Sequence, residues 1–241
     1  MSGQYLSQGR ATDDLVIRVG SRALSSRPSE GEGRSSYTPF PEDHAVSDQT
    51  YIGTHSCRAA HELGADDLAA TVILYLPHIH DQFHLRSLQP LLLDFLARGG
   101  HMILCAEPAI PCSLSSARSR RCRRVPSPTS RSGVRNDPLG FFRNMDADFD
   151  GWCGIFGQYA RGWPRMPNGA VWLTDIGSKD APRPADWLWQ YPTDDGRGGL
   201  VFMHNGNNMV RYPDHGEHRQ GLVRDICLGL VARRGPPLNR F

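Results

Sequence analysis

A cysteine and a histidine stand directly after two of the most apolar segments of the chain. Cys105 follows Met102–Leu104, and His204 follows Leu200–Met203. A cysteine becomes an effective nucleophile when a neighbouring imidazole holds it as the thiolate. If both apolar segments are strands of an open α/β sheet, Cys105 and His204 are expected at its carboxyl edge, where ligands bind. The alternative is an inert thiol buried at a strand end.

Histidines also indicate a metal site. His78 and His80 follow the apolar segment 71–76, and an extended His-x-His segment places both rings on one side of the backbone. Such imidazoles, together with carboxylates, could bind zinc or another divalent cation. Ten histidines in 241 residues create short spacings by chance, so histidines of solvated loops are the alternative. The chain has no phosphate-binding glycine loop after a strand and no G-x-S-x-G, which disfavours nucleotide binding and serine hydrolysis, and no cofactor other than a divalent metal is predicted.

Other polar residues follow the same predicted strands. In open α/β sheets, ligands bind beyond the carboxyl ends of the strands. The side chains expected at such ends are His78, His80, Cys105, Glu107, His204, Asn205, Asn207 and Asn208. The amides of 205–208 suit a hydroxyl-rich ligand, and they equally suit an ordinary turn.

The segments that would position these residues include a predicted βαβ unit. Residues 71–76 form a continuous apolar run that is typical of a strand covered on both faces. Apolar residues recur at helical spacing over 85–96, with Pro90 in the first turn and Gly99-Gly100 as the stop. A second strand over 102–105 completes the unit, whose crossover we expect to be right-handed.

Further elements are predicted on both sides of this unit. Strands are expected at 15–19, 170–173 and 200–203, a short helix at 55–64, and a closing helix whose apolar side spans 222–231. The pattern favours a single α/β domain over residues 1–241. Its predicted architecture is a Rossmann-like, mostly parallel sheet flanked by helices in three layers.

Two segments have compositions that do not favour a packed core. Residues near 25–50 are rich in Pro, Glu, Gly and Ser, which predicts a flexible loop. Residues 113–136 contain seven arginines, seven serines and no acid, so the rest of the chain is acidic although the net charge is +2. The insert is open to three interpretations: a disordered loop, a basic docking arm or a shifted reading frame. This charge distribution does not favour a nucleic-acid partner.

The start of the chain and its cysteines bear on location. Met1–Arg10 is polar and is not followed by an apolar leader segment, and no apolar run is long enough to span a membrane. The six cysteines include no C-x-x-C pair. We therefore expect a cytoplasmic protein with reduced thiols and no membrane association.

Three passages resemble the class I glutamine-amidotransferase-like superfold, and within it the trehalose-utilisation (ThuA-like) group. They are "LRSLQPLLLDFLARGGHMILCAE", "PADWLWQYPTDDGRGGLVFMHNGNN" and the closing helix, which together cover roughly residues 66–112 and 185–232. The resemblance implies the same fold, with Cys105 as nucleophile and His204 as base. The chain departs from the amidotransferase pattern because Ala106-Glu107-Pro108 follows the cysteine, and Gly206 stands where the acid is expected. Glu107 or Glu217 could supply that acid.

These observations give a leading functional hypothesis and two alternatives. The leading hypothesis is an amidotransferase-like domain without the usual triad, which binds or processes a small polar or carbohydrate-like ligand at the carboxyl edge of the sheet. The first alternative is a hydrolase that depends on Cys105, His204 and Glu107, or on a metal held by His78 and His80. The second is a non-catalytic interaction domain that uses the basic insert and the tryptophan-rich second half. A homodimer is compatible with each of the three.

Overall fold

The computed structural model describes ten segments of the chain: residues 15–23, 44–47, 50–59, 63–69, 71–76, 86–105, 133–143, 166–176, 182–204 and 216–232. Their elements in chain order are β1 (Leu15–Ala23), β2 (His44–Ser47), β3 (Thr50–Ala59), α1 (Ala65–Ala69), β4 (Ile73–Leu76), α2 (Gln89–Ala97), β5 (His101–Cys105), β6 (Gly133–Val134), β7 (Val171–Ile176), β8 (Arg183–Gln190), β9 (Leu200–His204) and α3 (Gly216–Ala232). In this part of the chain, no helix is long and apolar enough to cross a bilayer.

The described strands form one sheet in the order β2-β3-β1-β4-β5-β9-β8-β7-β6. Its centre is parallel, because β4 pairs with β5 and β5 pairs with β9 in the same direction. The remaining strand pairs are antiparallel. The fold is therefore α/β with a mixed sheet. The expectation of a mostly parallel sheet is corrected, since parallel pairing is confined to the three central strands of the described sheet.

The βαβ unit was predicted correctly. Helix α2 has Pro90 in its first turn, where a missing N–H costs nothing. It ends before Gly99, whose φ of 89° lies in the left-handed region that glycine adopts readily. Strand β5 begins two residues later and lies parallel to β4.

Three expectations about the flanking segments are corrected. Residues 55–59 belong to β3, which pairs with β1 from Leu15↔Ala59 to Ala23↔Thr50, so long-range pairing overrides the expected helix. Strand β2 lies inside the segment predicted as a loop near 25–50. Gly133–Val134 pairs with β7, so the end of the Ser/Arg-rich segment is part of the sheet. Residues 24–43 and 106–132 lie outside the described residues.

Side chains alternate along the central strands between two apolar clusters. One cluster combines Tyr75, Ile103 and Phe202 with the buried face of α3. The other combines alternate positions of the same strands with Leu92, Phe95 and Leu96 of α2 and with Leu68 of α1. The helices therefore cover the central strands through two separate sets of side chains, as the continuous apolar runs of β4, β5 and β9 require.

The segment before β7 is anchored to the first cluster. The Asp137 carboxylate accepts hydrogen bonds from the backbone N–H groups of Phe141 at 2.6 Å and Phe142 at 3.0 Å. Phe141 is fully buried and packs edge-to-face on Phe202, with ring centroids 5.5 Å apart. A short polar loop thus holds an aromatic side chain against the centre of β9.

At the amino-terminal ends of β5 and β9, the backbone segments that precede the two strands contact each other directly, and we call this the closed edge. Gly199 N–H donates to the carbonyl of Leu96 at 2.7 Å, and Leu200 N–H donates to His101 Nδ1 at 3.0 Å. A Cβ atom on Gly199 would overlap the carbonyl of Gly100, so only glycine allows these two backbone segments to approach this closely. This edge leaves no room for a side chain at that contact.

Candidate functional site

The structure brings Cys105 and His204 together at the carboxyl ends of two neighbouring parallel strands. They are the last residues of β5 and β9, and they oppose each other in the strand register. Neighbouring strands lie about 4.8 Å apart. Cys105 belongs to the cluster under α3, and His204 lies two residues after Phe202 of that cluster, so both side chains face the same side of the sheet.

An aspartate on the other side of His204 orients its ring. Asp186 of β8 opposes His204 in the antiparallel register, and its Oδ1 lies 2.6 Å from His204 Nδ1. Because an ionised carboxylate only accepts hydrogen bonds, we assign the N–H of the neutral imidazole to Nδ1, which then donates a hydrogen bond to Asp186. The other nitrogen, Nε2, is therefore the atom of the ring that can accept a proton.

Asp186 is itself held by a hydroxyl group. Thr174 of β7 donates its Oγ1–H to Asp186 Oδ2, so each carboxylate oxygen has a hydrogen-bond donor. Thr174 opposes Asp186 in the β7–β8 register. Backbone pairing of β9, β8 and β7 thus places the three polar side chains side by side.

A second hydroxyl group lies beside the cysteine. The Cys105 thiol donates to Tyr75 Oη, at 3.4 Å from Sγ. Tyr75 is fully buried on β4, the other neighbour of β5. Five polar side chains from five adjacent strands are thus near neighbours, and we name them the polar row: Tyr75, Cys105, His204, Asp186 and Thr174. Thr174, Asp186 and His204 are hydrogen-bonded in series, and Cys105 opposes His204 in the register. Tyr75 opposes Ile103 and reaches Cys105 through its hydroxyl.

The polar row is buried. His204 and Asp186 are each 1% exposed, and Cys105 is 5% exposed. Removing an ionisable pair from water costs several kcal/mol unless hydrogen bonds and the opposite charge compensate. The short contact to His204 and the hydroxyl of Thr174 provide that compensation for the carboxylate.

The second buried thiol of the described residues lacks such surroundings. Cys227 is fully buried in the apolar face of α3, and this burial raises the pKa of its thiol far above the ordinary value. A buried thiol without a polar partner stays protonated and inert. Cys105 differs from Cys227 in having the Tyr75 hydroxyl as a hydrogen-bond partner and His204 opposite it in the strand register.

The remaining sequence-predicted residues lie outside the described part of the chain: His78, His80, Glu107, Asn205, Asn207 and Asn208. The predicted metal site and amide contacts therefore stay predictions. Among the described residues, no group of three or more His, Cys, Asp or Glu side chains could hold a metal ion.

Asp186 was missed by the sequence reasoning, although the sequence contains a signal for it. The turn at Asp194-Asp195-Gly196 was recognised, and it joins two strands that pair from Gln190↔Leu200 outward. Asp186 and His204 are equally far from Asp195 along the chain, one before it and one after it, so the hairpin pairs them. The amidotransferase-like pattern predicts the acid after the histidine, whereas Asp186 lies opposite His204 in the hairpin.

Comparison of the chain with protein-family models, with curated proteins and with solved structures finds no match. The site is therefore interpreted from its own geometry and chemistry.

Proposed function

We propose that this protein is an amidotransferase-like α/β domain that binds a small polar ligand at the carboxyl edge of β4, β5 and β9. In this proposal it hydrolyses an amide or ester bond of that ligand through Cys105. One observation carries the proposal: Cys105 and His204 oppose each other in register, and Asp186 holds the Nδ1 side of the imidazole. This arrangement has the elements of a nucleophile, a base and an orienting acid.

The fold supports the location of the site. Ligands of open α/β sheets bind at the carboxyl ends of parallel strands, and the parallel part of this sheet is β4, β5 and β9. The two apolar clusters, one with α3 and one with α1 and α2, favour a three-layer arrangement of helices around these strands. A cytoplasmic location is part of the proposal, because a reducing compartment keeps the thiol free.

The chemistry requires only the residues of the polar row and one water molecule. His204 Nε2 accepts the proton of the Cys105 thiol, and the thiolate forms a bond to the carbonyl carbon of the substrate. The bond from that carbon to the leaving amine or alcohol then breaks, and the leaving group takes the proton from His204. Water next attacks the thioester while His204 accepts its proton. The C–S bond breaks, which releases a carboxylic acid and restores the thiol.

Burial supports a second candidate, a ligand-binding domain that performs no chemistry. A residue exposure of 5% at Cys105 and 1% at His204 leaves little surface for a substrate to reach. In that case the polar row lies beneath the binding site without contacting the ligand, and its hydrogen bonds serve to hold the strands in register.

Turnover and binding distinguish the two candidates. Wild type, Cys105→Ser and the control Cys227→Ala are incubated with glutamine, asparagine and p-nitrophenyl acetate, and release of ammonia or nitrophenol is measured. Thermal shifts with the same compounds report binding. The proposal expects turnover by wild type and by Cys227→Ala, and its loss in Cys105→Ser while the thermal shift persists. Thermal shifts without turnover in wild type would favour the binding domain, and neither signal would overturn both.

A further inference from the structure

We propose that Asp186 is a positioning residue for the thiol chemistry, and that Thr174 holds it in place. This inference rests on the proposed function, because it concerns how His204 acts on Cys105. It assigns the acid of the site to a strand next to the histidine strand, whereas the amidotransferase-like pattern places it two residues after the histidine, where this chain has Gly206.

The first argument is geometric. Both oxygens of the Asp186 carboxylate are engaged, one by His204 Nδ1 at 2.6 Å and the other by the hydroxyl of Thr174. Two contacts from two different strands fix the plane of the carboxylate. A fixed carboxylate in turn fixes the rotation of the imidazole about its side chain, and hence the direction of Nε2.

The second argument is electrostatic. Asp186 and His204 are almost completely withdrawn from solvent. When His204 accepts the thiol proton, the resulting imidazolium gains a carboxylate partner in surroundings of low polarity, where the attraction is stronger than in water. Asp186 thereby favours the thiolate–imidazolium state without touching the sulfur or the substrate.

The third argument excludes a role in backbone pairing alone. The register of β8 with β9 runs from Gln190↔Leu200 to Asp186↔His204, so Asp186 is at the end of the paired segment, and the three pairs between these two are formed by apolar residues that maintain the register without it. An apolar residue at 186 would pack against this cluster without the cost of burying a carboxylate. A buried acid at this position is therefore better explained by its effect on His204.

The test uses the rate at which iodoacetamide modifies Cys105 in the intact, folded chain as a function of pH. In this reaction the thiolate forms a C–S bond, the C–I bond breaks and iodide leaves. Modification is read by mass spectrometry of the peptide 99–118, in which fragmentation separates Cys105 from Cys112. The probe reports thiolate formation and does not require a known substrate.

The variants separate the roles of the residues. His204→Gln removes the base, Asp186→Asn removes the charge but keeps the shape, and Asp175→Asn is a matched control on the neighbouring strand. Thr174→Val removes the hydroxyl, and Thr174→Ser restores it. Melting temperatures are recorded for all variants, so that a loss of folding is recognised.

We expect Asp186→Asn to slow modification of Cys105 at pH 7 at least tenfold. The pH at which the modification rate rises should move to a higher value, as it should in His204→Gln. The profile of Asp175→Asn should coincide with that of wild type, and Thr174→Ser should lie closer to wild type than Thr174→Val. If Asp186→Asn lowers the melting temperature but leaves the pH profile unchanged, Asp186 is structural and the inference is overturned. If His204→Gln also leaves the profile unchanged, the proposed function itself fails.

Discussion

The amino-terminal and carboxyl-terminal ends of β5 and β9 differ in the kind of contact that they make. At the amino end the backbones of 99–100 and 198–199 meet directly, and glycine is required because a side chain would overlap a carbonyl. At the carboxyl end the same two strands finish in Cys105 and His204, and the neighbouring strands add three further polar side chains. One edge is closed by main-chain packing, whereas the other carries groups that can move protons. Under the proposed function, stability and chemistry therefore depend on opposite ends of the same strands.

The largest expected effect is at the closed edge. Gly199→Ala would place a Cβ atom against the carbonyl of Gly100, and neither backbone can move without disturbing β5 or β9. Overpacking costs about 1–3 kcal/mol and occasionally more, and a clash between two backbones belongs at the upper end or beyond it. We expect the free energy of unfolding in urea to fall by more than about 3 kcal/mol, or folding to be lost.

Gly133→Ala is the matched control, because a Cβ atom at position 133 meets nothing within 4 Å. Its free energy of unfolding should stay within about 0.5 kcal/mol of wild type. Equal effects of the two substitutions would refute the claim that the amino edge is closed by direct backbone contact.

A smaller effect is expected at the carboxyl edge from Tyr75→Phe. The substitution removes the hydroxyl that accepts a hydrogen bond from the Cys105 thiol and that can donate one to the thiolate. A single hydrogen bond contributes about 0.5–1.5 kcal/mol, so stability should fall by that amount and modification of Cys105 by iodoacetamide should slow several-fold. Tyr191→Phe, which changes a tyrosine packed on Trp189, should leave the rate at Cys105 unaltered. An unchanged rate in Tyr75→Phe would show that the Tyr75 hydroxyl does not affect the reactivity of the Cys105 thiol.

The smallest effect concerns the turn of the β8–β9 hairpin, which carries its own aspartate. The backbone N–H of Arg197 and the hydroxyl of Thr193 donate to Asp195 and hold the pKa of its carboxyl below the ordinary value of 3.8. A carboxyl group whose pKa is lower in the folded than in the unfolded state stabilises the fold at pH values above its ordinary pKa. This contribution is lost as the pH falls through the lowered pKa.

Asp195 is fully exposed, so solvent screening keeps its contribution small. Asp195→Asn should therefore lower the melting temperature slightly at pH 7, and the difference from wild type should vanish in strong acid. A difference that grows on acidification would contradict the assignment. Asp195 and Asp186 thus stand at opposite ends of one hairpin, one in solvent and one in the core.

The sequence predicted the elements whose signals are local. Buried strands were recognised at β4, β5 and β9 from continuous apolar runs, and α2 was recognised from its spacing, Pro90 and the glycines that follow it. These features depend on neighbours within a few residues of the chain, so no knowledge of pairing was needed.

The elements that the sequence did not predict depend on partners far along the chain. Residues 55–59 form a strand because β1 pairs with them across some forty residues. The direction of β1, β7 and β8 relative to the centre of the sheet was likewise set by pairing and not by composition. Within the site, Cys105 and His204 could be proposed from strand ends together with the resemblance to the amidotransferase-like superfold, whereas Asp186 required the hairpin register. Thr174 required the register of a further strand.

The central claim is that the carboxyl edge, and not burial in general, determines the reactivity of Cys105. It is tested most directly by comparing two buried thiols in one native protein at pH 7, Cys105 in the polar row and Cys227 in the apolar face of α3. The measurement is the rate at which iodoacetamide modifies each thiol, read by peptide mass spectrometry. The account predicts that Cys105 reacts at least about a hundredfold faster, because burial raises the pKa of Cys227 while His204 accepts the proton of Cys105. Equal, slow modification of both thiols, rising only when the protein unfolds, would contradict it.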